Sequence, residues 1–157
     1  MIPTHFLFHL AEYEGIRVEW HDFKEIDGLY INSPSLTAPI ITLSNTLRTR
    51  ERDLRCVLSH ELGHHYETVG HHMIAATGTN SIYATKNEIA ATKWAVDLLI
   101  PTDVFLECVE DGMGGQELCN YFYVLPEYII RKAELLHKDT SLTDTIAELK
   151  TNYNVYF

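Results

Sequence analysis

Apolar residues along this chain change period several times, and the changes outline its elements. Residues 5 to 14 carry Phe6, Leu10 and Tyr13 at helical spacing with Gly15 behind them, which predicts a short helix and its stop. The period then shortens. Ile16 to Trp20 alternates apolar and charged, Gly28 to Asn32 is short and β-prone, and Pro39 to Leu43 reads as a third strand before polar Ser44-Asn45-Thr46. A longer helical pattern follows from about Thr49 to Val69, ending near Gly70, with Leu54, Leu58 and Leu62 on one stripe. Residues from about Met73 to Ser81 are rich in Gly, Thr, Ser and Asn and read as a loop able to line a cleft. A second long helix is expected over Lys86 to Ile100, with Pro101-Thr102-Asp103 ending it and capping a third from near Val104. Beyond Gly112 to Gly115, two or three shorter helices are expected through Leu136 and again from about Leu142.

This order, a short helix and the strands first and most helices after, predicts an α+β fold: a small N-terminal sheet packed on a helical C-terminal part. With 157 residues, 46% of them hydrophobic, the chain suits a single domain spanning 1–157. Within it, about 1–46 would form the first helix and sheet, 47–101 the two long helices, and 102–157 a helical tail.

Charge and cysteine content narrow the function. A formal net charge of −10 with only twelve Lys and Arg argues against direct binding to nucleic acid, which depends on clustered cations. Cys56, Cys108 and Cys119 are odd in number and lack C-x-x-C spacing, so neither a disulfide framework nor a thiolate zinc knuckle is expected. That usage fits a reducing cytoplasm. There is no basic leader followed by a long apolar stretch, and no run of about 18 apolar residues, so neither export nor a membrane span is expected.

The chemistry is concentrated in His60-Glu61-Leu62-Gly63-His64. On an α-helix, residues i and i+4 lie about 40° apart around the axis, so both imidazoles can face one metal ion. His60 and His64 fall about 140° from the leucine stripe, which separates a ligand face from a core face. Glu61, beside them, is placed to hold the attacking water and take its proton. His65 projects with the leucines and reads as a half-buried structural histidine.

Catalytic zinc commonly takes three protein ligands, so one more donor is needed. Glu88, 24 residues past His64, leaves enough chain for a loop and an antiparallel return. It also shares a helix stripe with Ala91, Thr92, Ala95 and Leu99, small enough in part to permit close approach of a neighbouring helix. It is preferred to His71 and His72, which follow the expected helix stop and would need a sharp reversal. Cys56, one turn before His60, reads as a buried thiol. For stabilising the oxyanion, Tyr83, His71 and His72 are all candidates.

The sequence resembles the ImmA/IrrE family of metallopeptidases. The likeness rests on Arg55-Cys56-Val57-Leu58-Ser59 leading into His60-Glu61-Leu62-Gly63-His64-His65, and on Glu88-x-x-Ala91-x-x-Trp94-Ala95-x-x-Leu98-Leu99-Ile100-Pro101. It covers roughly residues 40 to 137. The departure is Ala90, where many relatives carry a second acidic residue. The resemblance implies a minimal, gluzincin-like zincin with Zn2+ held by His60, His64 and Glu88 and with Glu61 as general base. It also implies an intracellular bacterial, phage or mobile-element setting and a helix-turn-helix transcriptional repressor as the protein substrate. From another class, the alternative is a non-proteolytic metal-binding regulator that antagonises a transcription factor by docking; the intact Glu61 favours the enzyme.

Overall fold

A computed structural model describes residues 2–67, 73–74 and 82–136; for 73–74 and 82–85 it describes the backbone alone. Packing divides the chain into two compact units, Ile2–Ala95 and Val96–Phe157.

The first unit opens with α1 (Thr4–Tyr13), followed by β1 (Arg17–His21), β2 (Gly28–Ile31) and β3 (Ile40–Ser44). Gly15, at φ +70, supplies the left-handed residue that turns the chain from α1 towards β1. The sheet is mixed, in the order β1-β3-β2-β4, where β4 is Met73–Ile74. β1 runs parallel to β3, whereas β2 runs antiparallel to both β3 and β4. Strand β4 falls in the segment expected to be a loop. Two residues are too few to show alternation, so pairing with Tyr30 and Ile31 defines this strand where periodicity does not.

A short 3-10 turn, Asn45–Thr49, leads into α2 (Glu51–Glu67), which carries the HExxH motif and packs on β2, β3 and α1. Glu51 and Asp53 lie in its first turn, where acidic side chains complement the helix dipole. Leu54, Leu58 and Leu62 are buried, as their stripe requires, among core residues that include Leu7, Ile41, Leu43 and Leu47. Helix α3 (Ile82–Leu99) begins four residues before the expected Lys86 and crosses the boundary between the units.

The second unit contains α4 (Thr102–Glu110), α5 (Gly115–Phe122) and α6 (Pro126–Leu135). Its core includes Phe105, Leu118, Phe122, Val124, Ile129 and Ile130, and the Phe105 and Phe122 rings lie 6.2 Å apart. Thr102 and Asp103 do not cap α4 as expected. They are already within the helix, and the Pro101 carbonyl accepts the Phe105 N–H. The Thr102 hydroxyl accepts instead from Lys132 Nζ, a buried ammonium that also donates to Asp97 Oδ1, each at 2.8 Å. The helix expected from Leu142 lies outside the described residues. No described helix is long and apolar enough to cross a membrane.

Candidate metal centre

Helices α2 and α3 come together because residues on their facing sides are small. A Cβ added to Gly63 would sit 2.4 Å from the Ala91 carbonyl oxygen, and Ala91 and Ala95 are both fully buried. This approach sets Glu88, one turn before Ala91 and Thr92, against the histidine face of α2.

The resulting cluster joins His60, His64 and Glu88. His60 Nε2 lies 3.1 Å from His64 Nε2 and 3.1 Å from Glu88 Oε2, and His64 Nε2 lies 3.3 Å from Glu88 Oε1. Two donors bound at zinc-like distances to one tetrahedral ion stand about 3.3 Å apart, so the three edges fit a common cation. Two imidazole nitrogens and a carboxylate also form the N/O donor set that suits such an ion. Behind the cluster, Thr92 Oγ1 lies 3.4 Å from His60 Nδ1, so the ring presents Nε2 to His64 and Glu88. His64 is almost fully buried, and its Nδ1 has no hydrogen-bond partner among the described residues.

The electrostatics follow from crowding charge at a partly closed site. Hydrogen bonds from both histidines, outweighing burial, bring the Glu88 carboxyl down from 4.5 to about 2. Burial alone would lower the His60 pKa, but its hydrogen bond to Glu88 and the charges of Glu61 and Glu88 raise it above 6.5. Glu61 shifts upward. Burial is the main cause, opposed by His60, His64 and a hydrogen bond from the Tyr30 backbone N–H. A carboxylate made more basic in this way is a better proton acceptor.

Strand β2 contributes more than the sequence disclosed. Gly28 faces Glu61, and Tyr30, besides its amide, places its hydroxyl 2.9 Å from His65 Nδ1. His65 Nε2 lies 3.6 Å from Glu14 Oε2, so the half-buried histidine expected here links α1, α2 and β2. The sequence signal for Gly28 was its glycine at the start of a β-prone run, a common mark of close approach. Cys56 is buried and stands apart from the metal-ligand group found among the described residues. His71, His72 and the Tyr83 side chain lie outside the described residues.

An HExxH helix joined by a carboxylate from the next helix defines a class, the HExxH metallopeptidases. Within that class, residues 11–155 match the family model described as the IrrE N-terminal-like domain, a peptidase family. The chain belongs to this family. Comparison with curated proteins finds no match.

Proposed function

We propose that this metallopeptidase is a zinc-dependent endopeptidase that cleaves a helix-turn-helix transcriptional repressor at specific sites. In this reading His60, His64 and Glu88 hold the zinc, and Glu61 is the general base. The observation that carries it is the meeting of His60, His64 and Glu88 at ligand spacing, with the buried Glu61 next to His60 on the same helix. Bound zinc would supply Lewis-acid polarisation of the scissile carbonyl and of the attacking water. Glu61 accepts a proton from that water as its oxygen bonds to the carbonyl carbon. It then returns the proton to the amide nitrogen as the C–N bond breaks, leaving one new carboxyl and one new amine.

Two features support a folded, basic partner over general digestion. The net charge of −10 favours encounter with the basic DNA-binding face of a repressor, and a chain this small has little surface for a long subsite groove. The family resemblance supplies the choice of repressor and the mobile-element setting. A cytoplasmic location is consistent with Cys56, Cys108 and Cys119, which are buried and form no disulfide with one another.

The test is incubation of the purified protein with the repressor encoded nearest its gene, with and without chelator. Discrete fragments that disappear with chelator are expected. Release of the repressor from its operator without fragments, undiminished in Glu61→Gln, would replace proteolysis by docking.

A further inference from the structure

We propose that strand β2 is the positioning device for Glu61, with the missing side chain of Gly28 making room for its carboxylate and the Tyr30 amide fixing its direction. The proposal rests on the reading of Glu61 as the base.

A Cβ at Gly28 would lie 2.6 Å from Glu61 Oε1, 3.0 Å from Glu61 Cγ and 2.6 Å from Val57 Cγ1. The carboxylate therefore occupies space that any other residue at position 28 would fill. Two positions along the strand, the Tyr30 N–H donates to the same carboxylate.

The strand cannot simply retreat. It is an inner strand, pairing with β3 on one side and, at Tyr30 and Ile31, with β4 on the other. Its two ends are also tied to α2. Ahead of Gly28, the Asp27 carbonyl accepts from Ser44 N–H and its carboxylate lies 3.1 Å from Arg50 Nη2, next to the helix start. At the other end, the Tyr30 hydroxyl meets His65 near the helix finish. With backbone held on both sides, the atoms free to yield to a new Cβ are the far end of Glu61 and the Val57 methyl. A methyl group at position 28 should thus move the base before it disturbs the fold. Displacing a reacting group by about 1 Å can lower turnover by roughly a hundredfold.

The experiment compares the metal-loaded parent with Gly28→Ala, Val57→Ala, Gly28→Ala/Val57→Ala and Glu61→Gln, using 1H–15N spectra, metal content and cleavage of the neighbouring repressor. Hydrogen bonding to a carboxylate should hold the Tyr30 amide proton downfield in the parent. It should move upfield in Gly28→Ala and Glu61→Gln and stay in place in Val57→Ala. Gly28→Ala should keep its metal and lose roughly tenfold to a hundredfold in kcat with KM nearly unchanged, a split that general destabilisation does not produce. If Gly28→Ala does not fold, the double variant, relieved at Val57, gives the same readout.

A parental Tyr30 resonance together with parental kcat in Gly28→Ala, or in the double variant, would overturn the proposal. Parental turnover in Glu61→Gln would instead remove Glu61 as the base; an amide shift in Gly28→Ala would then still establish the contact.

Discussion

At the scale of single residues, Gly63 shows how much the metal motif asks of positions that touch no metal. Its hydrogen side chain faces a backbone carbonyl, which has less freedom to yield than a side chain. Gly63→Ala should therefore push α2 and α3 apart and cost about 2 kcal/mol, with weaker metal binding as Glu88 recedes; denaturant unfolding and chelator competition measure the two effects. Glu88→Ala should weaken metal binding strongly in a chain that still folds, because it removes a donor from a partly exposed position. Proton competition gives a direction with pH. With the His60 pKa raised above 6.5, protons compete with metal for this imidazole to higher pH than for an ordinary histidine, so apparent metal affinity should climb as pH rises through and beyond 6.5. In the metal-free protein the two shifts also bear on stability. Glu88, lowered from 4.5 to about 2, contributes fully above 4.5 and loses that contribution as pH falls through 2, whereas His60 contributes below 6.5 and loses it as pH rises through its elevated pKa. Their joint stabilisation is therefore greatest between about 4.5 and 6.5, and Glu88→Gln should reduce stability most in that window, as thermal unfolding across pH would record.

Elements show why part of this site could be read in one dimension and part could not. The i, i+4 spacing of His60 and His64 is a property of one helix, and the small stripe at Ala91 and Ala95 marks the face of another, so both were legible in the sequence. Gly28, Tyr30 and Glu14 meet Glu61 and His65 from other elements, and nothing in local periodicity encodes such a meeting. The same limit concealed β4, whose two residues are defined by their partners in β2. It also explains Thr102, a plausible helix cap by composition whose hydroxyl is engaged by a lysine thirty residues away. That lysine gives a prediction of its own. Asp97→Ala leaves a buried ammonium facing the Thr102 hydroxyl and should cost roughly 3 kcal/mol or more, while Lys132→Met leaves Asp97, 42% exposed, accessible to water and should cost less. Equal losses in chemical denaturation would mean that Lys132 is solvated by another route.

For the molecule as a whole, the acidic balance bears on encounter more than on chemistry. Attraction between a chain of net charge −10 and a basic partner is screened within about 10 Å at 0.1 M salt, so cleavage of the proposed repressor substrate should slow as salt rises, chiefly through slower association. Casein, which offers no matched docking face, should be a poor substrate. The central claim, a metal held by His60, His64 and Glu88 beside a proton acceptor at Glu61, is tested most directly on one variant with two readings. Elemental analysis and repressor cleavage are measured together for Glu61→Gln. The amide keeps the side chain's shape but cannot take the proton. About one zinc per chain with no detectable cleavage is the result expected. Full metal content with cleavage at the parental rate would contradict the account.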